Sequence, residues 1–198
     1  METVMKGAAE YNRALALLKR GRKLGDAESL ELLREAAKLD YPPAQYALAT
    51  WYLHGKGVRK DYRRAVGWLK KAAGGGLPEA LYDLAVCHEL GEGVPRSPKK
   101  AFLYYRDAAA AGDRNAQTEV ARCLHYGIGT RKDYAEAAHW YRIAAKRGDA
   151  DAQYAIGRAY ELGQGVRKNL RAALSWYREA AANGDKEAAR IVATWNGD

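Results

Sequence analysis

Residues 149–184 read DADAQYAIGRAYELGQGVRKNLRAALSWYREAAANG, and the rest of the chain can be read outward from this stretch. Two helical segments are parted by Gly163-Gln164-Gly165 and closed by Gly184. In the first, Ala152, Ile156, Gly157 and Tyr160 fall on one stripe of an α-helix. Asn169 stands where a second helix needs a side-chain oxygen to accept from its first free N–H groups. Gly184 stands where a helix ends by turning into the left-handed region.

The same unit recurs upstream at a spacing of 36 residues. The G-x-G triplet returns at Gly55/Gly57, Gly91/Gly93 and Gly127/Gly129. Alanines recur at Ala44, Ala80, Ala116, Ala152 and Ala188, and at Ala65, Ala101, Ala137 and Ala173. Aromatics follow at Trp68, Tyr104, Trp140 and Trp176. The pairs Ala72-Ala73, Ala108-Ala109, Ala144-Ala145 and Ala180-Ala181 lead into Gly76, Gly112, Gly148 and Gly184. Self-similarity at such a period is the signature of a stacked repeat. Each unit reads as two helices. The first, for example from Pro78 to Leu90, begins at Pro43, Pro78 or just after Asp113, Asp149 and Asp185. The second begins after Asp61, Ser97, Asp133 or Asn169. The loop between them has an apolar anchor at Val58, Val94 and Val166, with Thr130 in the third copy.

The opening is degenerate. Residues 28–38 make a clear second helix, with Ala36-Ala37 in phase with the later pairs, and 4–20 reads as an amphipathic helix followed by a shortened loop at 21–25. The end holds a first helix alone, at 186–195. These features predict one all-α domain over 1–198: a degenerate repeat at 1–40, repeats at 41–76, 77–112, 113–148 and 149–184, and a capping helix in 185–198. That makes about five helix pairs and a closing helix. Atypical ends are what a solenoid needs to cover its exposed core. The composition agrees, since abundant alanine with 14 Tyr, 5 Trp and a single Phe suits tight helix packing with partly exposed rings. The 33 Lys and Arg against 24 Asp and Glu leave a net charge of +9, which favours an acidic partner.

The pattern A-x-x-x-L-(A/G)-x-x-Y-x-x-G-x-G-V-x-x-D-x-x-x-A-x-x-W-(Y/L)-x-x-A-A-x-x-G resembles the Sel1-like repeat, a relative of the tetratricopeptide repeat. The resemblance covers about residues 41–195, and the start more weakly. Tetratricopeptide units run about 34 residues and lack this loop. The resemblance implies a right-handed α-α superhelix with a concave groove, used as a protein-binding scaffold or adaptor, and it transfers no catalytic residue. In related repeats the first helix of each pair lines the concave face.

On that view the residues one turn round from the packing stripe face the groove. One row is Tyr46, Tyr82, Thr118, Tyr154 and Arg190. The next is Thr50, Val86, Arg122, Arg158 and Thr194, and a third is Leu53, Glu89, His125 and Glu161. These rows vary where the packing rows do not, and Tyr and Arg are common at binding hot spots. The candidate partner-binding residues are therefore Tyr46, Thr50, Tyr82, Val86, Glu89, Thr118, Arg122, His125, Tyr154, Arg158, Glu161 and Arg190. The competing reading ties the arginines to local acids such as Glu89, Glu119 or Glu161, leaving them only a role in solubility.

A second candidate is the basic ridge of the loops, Arg59-Lys60, Arg96, Arg131-Lys132 and Arg167-Lys168, either a contact for acids and phosphates or simply solvated. Nucleic acid is disfavoured, because no known binding motif accompanies the ridge. His54, His88, His125 and His139 lie on separate helices and do not predict a metal site. Cys87 and Cys123, one repeat apart, read as reduced core thiols; relatives that use disulfides carry two cysteines inside each unit. No nucleophile, phosphate-loop or dinucleotide motif is present, and no apolar run reaches the ~20 residues of a membrane span. The start, with an acid at Glu2 and no apolar core, reads as no secretory signal. The expectation is a cytoplasmic, non-enzymatic protein without cofactor or metal. It binds another protein by an acidic segment of that partner; a folded toxin or effector, or a polyanion, are the alternatives.

Overall fold

The structure, a computed structural model, describes residues 2–19 and 23–195. Among them are eleven helices and no strand: α1 (Glu2–Lys19), α2 (Lys23–Lys38), α3 (Pro42–His54), α4 (Tyr62–Gly74), α5 (Pro78–Leu90), α6 (Pro98–Ala110), α7 (Arg114–Tyr126), α8 (Tyr134–Ala145), α9 (Ala150–Leu162), α10 (Leu170–Ala182) and α11 (Lys186–Thr194). The all-α class and the count of five pairs plus a closing helix stand. One expectation fails. The loop at 21–25 is in part helix, because α2 already begins at Lys23 and carries Gly25 inside it. A glycine costs a helix only about 1 kcal/mol, which the burial of Leu30, Leu33, Ala36 and Ala37 further along α2 outweighs. Residues 20–22 lie outside the described residues.

The boundaries follow from local chemistry. Asp61, Asp133 and Asn169 accept from the N–H of Arg64, Glu136 and Ala172 at 2.9, 2.9 and 3.0 Å, and Ser97 from Lys100 at 3.3 Å. The first helices start on Asp113, Asp149 and Asp185 in the same way, or on Pro42 and Pro78 at their first turn. They end on Gly55, Gly91, Gly127 and Gly163, all left-handed. A repeated bond then closes each hairpin: the N–H of Asp61, Ser97, Asp133 and Asn169 donates to the carbonyl of Tyr52, His88, Leu124 and Tyr160.

The second glycine of the triplet has a further role. A Cβ on Gly165 would overlap the Tyr134 carbonyl, and one on Gly93 the Tyr62 carbonyl, so the loop rests directly on the backbone of the preceding pair. At Gly93 and Gly165 the triplet is thus a corner and a contact between repeats, whereas a Cβ on Gly57 would meet the Trp51 ring of its own pair.

The chain forms two compact units, Met1–Tyr104 and Tyr105–Asp198, with the division inside α6. In the first, α1 packs on α2, α2 on α3, α3 on α4 and α4 on α5. Its core is Leu33, Leu48, Trp51 and Tyr52, continued by Leu69, Leu84 and Cys87. In the second, α7 to α11 pack in succession around Val120, Ile156, Tyr141 and Tyr177. The recurring alanines Ala44, Ala65, Ala72, Ala80, Ala116, Ala152, Ala173 and Ala188 are completely buried, which lets neighbouring helices approach closely. Cys87 and Cys123 are buried, and burial raises the pKa of the Cys87 thiol to about 11.

Candidate functional site

In the second unit, five of the twelve candidate residues line one groove of about 510 Å³: Thr118, Arg122 and His125 from α7, and Tyr154 and Arg158 from α9. The helical stripe one turn round from the packing alanines sets them there. Glu161 lies beside them and accepts from the Tyr177 hydroxyl at 2.6 Å. Burial, and then that bond, lifts the Tyr177 phenol above its ordinary range.

The two arginines of the groove are held locally. Arg122 Nε donates to Glu119 Oε2 at 2.6 Å, the pairing that the competing reading foresaw. Arg158 hydrogen-bonds the Tyr154 side chain, which raises its pKa. Thr118 Oγ1 donates to Asp149 Oδ2 at 3.0 Å. His125 sits among the rings of Tyr126, Tyr134 and Tyr141, with centroids at 4.7, 5.2 and 6.3 Å. Burial, followed by the charges of Lys132 and Arg158, lowers its pKa, so near neutral pH it is an uncharged ring. The groove presents forks, rings and carboxylates.

Several lining residues escaped the sequence reading. Tyr126 and Leu162, 62% and 50% exposed, stand at the last position of α7 and α9. Leu90 and His54 hold that position in α5 and α3, so the 36-residue register contained the signal. Glu119, Tyr141, Asp151 and Gln164 also line the groove.

The other candidates behave differently. In the first unit Tyr46 packs, partly buried, against the core around Leu69 and Leu84. Thr50 Oγ1 donates to the Ala47 carbonyl at 2.8 Å. Tyr82, Val86 and Glu89 are partly buried on α5. Arg190, on α11, is exposed, pairs with Glu187 at 3.2 Å and does not line the groove.

Among the described residues no group of three His, Cys, Asp or Glu could hold a metal ion, and no helix is long and apolar enough to cross a membrane.

Stacked helix pairs of this length, joined by G-x-G corners and bearing a polar groove, define a helical-repeat protein. The chain belongs to the Sel1 repeat family: the family model matches at 7–41, 42–77, 78–113, 114–149 and 150–185. This family generally mediates protein–protein interaction as a non-catalytic scaffold. Among solved structures, a protective antigen of uropathogenic Escherichia coli is 30% identical with a TM-score of 0.90, over 94% of this chain and 40% of its own. This chain thus spans less than half of that protein. A Sel1 repeat protein from Oxalobacter formigenes is 28% identical with a TM-score of 0.84, over 93% of this chain and 76% of its own. An immunity protein from Pseudomonas aeruginosa is 26% identical with a TM-score of 0.52, over 92% of this chain and 68% of its own. No curated protein matches the chain.

Proposed function

We propose that this chain is a non-enzymatic scaffold whose groove along α7 and α9 holds an acidic segment of another protein. The observation that carries this reading is the gathering of Arg122, Arg158, Tyr154 and the exposed Tyr126 around one concavity. Guanidinium forks suit carboxylates, and tyrosines give rigid contact area at low entropic cost. The net charge of +9 draws acidic partners toward the molecule. Glu119 offsets the charge of Arg122, so the reading rests chiefly on Arg158 and the two tyrosines.

The test uses a partner captured from the native lysate and then purified. Arg158→Ala/Tyr126→Ala should lower affinity by about 2 kcal/mol or more, as hot-spot truncation does, with little change in stability. Unaltered affinity in the folded variant refutes the groove.

A second reading is supported by the likeness to the Pseudomonas immunity protein: the occupant is a folded toxin or effector. Binding that survives when the acidic segment of the partner is supplied alone as a peptide favours the first reading. Binding that needs the folded partner favours the second.

A further inference from the structure

The first unit contains a second concavity, of about 660 Å³, between α2, the α3–α4 loop and the start of α4. Its floor is Tyr52, only 6% exposed. Four cations surround it: Arg34 from α2, Arg59 and Lys60 from the loop, and Arg64 from the first turn of α4. Arg34 hydrogen-bonds the Tyr52 side chain, and the Arg64 guanidinium lies 5.7 Å from the centre of the Tyr52 ring. Both forks are therefore positioned by one buried residue. Three carboxylates oppose the cations: Asp61, 3.3 Å from Arg64, Glu31, 2.5 Å from Arg34, and Glu92, which acts on Lys60. Lys60 is also drawn to Tyr62, its ammonium 4.4 Å from the ring centre, and an excess of one positive charge remains at this corner.

Three repeats later, the second unit has a cavity of about 600 Å³ with Tyr160, Arg167 and Lys168 in the matching places. There Ala172 replaces Arg64, and Arg142, at the Arg34 position, does not line the cavity. The repeat supplies the concavity and the two loop cations in both units. The pair of positioned forks is peculiar to the first.

We infer that the Tyr52 corner is a binding site for a phosphomonoester dianion. Arg presents parallel N–H donors that match phosphate oxygens. A monoester carries close to two negative charges at neutral pH and three terminal oxygens, enough acceptors for both forks at once. A phosphodiester in a nucleic-acid backbone offers only two unesterified oxygens and one charge per phosphate. The phosphate can belong to a phosphorylated side chain of a partner protein or to a free small molecule.

The test is a titration of the full chain at low ionic strength, read by amide chemical shifts. The probes are inorganic phosphate, a short Gly/Ala peptide with one phosphoserine, its unmodified serine parent, and a single-stranded oligonucleotide without a terminal phosphate. Two variants are compared: Arg59→Ala/Arg64→Ala, and Arg167→Ala/Lys168→Ala, each removing two exposed cations. The phosphopeptide should shift amides around 57–64, bind about tenfold or more weaker to the first variant, and bind unchanged to the second. A phosphopeptide tighter than inorganic phosphate assigns the group to a protein, and equal affinities assign it to a free ligand; both uphold the site. Equal losses in the two variants reduce it to overall charge and overturn it, as does equal binding of the serine parent. Oligonucleotide binding at the same residues, tighter than the phosphopeptide, also overturns it, in favour of nucleic acid.

Discussion

The turn between α2 and α3 and the turn between α8 and α9 are built alike from different residues. In the first, the N–H groups of Asp40 and Tyr41 donate to the carbonyls of Ala37 and Ala36, both at 3.3 Å. In the second, those of Gly148 and Asp149 donate to Ala145 and Ala144 at 3.0 and 3.4 Å. This paired closure needs a left-handed residue just past the helix. Gly148 supplies it at φ +88, and Asp40 is driven to φ +52, alone among the described non-glycine residues in having positive φ. Both turns are stitched by a buried glutamine: Gln45 Nε2 donates to the Ala37 carbonyl and Gln153 Nε2 to the Ala145 carbonyl. Gln45 also donates to Asp40 Oδ1 at 3.2 Å, which offsets part of the strain. The repeat therefore imposes the turn on whatever residue occupies the position, and the degenerate opening adopts the family geometry at a conformational cost.

Four changes probe how far geometry overrules residue type. The largest effect is expected for Gly165→Ala. It joins left-handed strain to a collision with the Tyr134 backbone, a loss of roughly 3 kcal/mol or more. Gly184→Ala is the control, at φ +98 with nothing within 4 Å, and should lose only about 1 kcal/mol. Equal shifts in urea midpoint would remove the backbone contact from the account. Next, Gly148→Val should cost about 2 kcal/mol and lower the melting temperature, because its surroundings are open and φ alone resists. A melting curve matching the parent would mean that the turn relaxes. Third, Asp40→Gly should stabilise by about 0.5 kcal/mol, the gain in φ exceeding the lost bond from Gln45. A drop in stability would show that Gln45 more than compensates.

The smallest effect is one of pH. His88 is buried, its Nδ1 lacks a hydrogen-bond partner, and its ring stacks on Tyr104 at 5.5 Å. Burial is the main cause that lowers its pKa; the Pro95 backbone opposes this, and Lys100 and Lys70 add to it. The unfolded chain, with histidine near 6.5, then takes up protons first as pH falls, so this contribution is complete above about 6.5 and lost below it. His88→Phe should keep the stack and flatten the fall in stability below that pH. An unchanged pH profile in that variant would assign the acid sensitivity to other groups.

The helices, their caps and their corners were legible in the chain because each depends on residues a few positions apart. Asp133 caps α8 with its own side chain, and Gly163 ends α9 by its own freedom of φ. Repetition multiplied these local signals until the family was plain. The start of α2 at Lys23 was not legible, since Gly25 reads as a breaker until its helix is packed. The site was legible only in outline. The inward rows place Tyr46 and Tyr154 in the same register, yet Tyr46 packs against a core cluster while Tyr154 also lines a groove. Arg122 faces the groove but is gripped by Glu119, and Arg34, read only as part of a helix, reaches Tyr52 beside Arg64. Sequence alone determined the repeating backbone, whose hydrogen bonds close within each hairpin. Tertiary structure alone decided which side chains of a register meet solvent, an acid or a ring, because that depends on what the neighbouring helix carries at the point of contact.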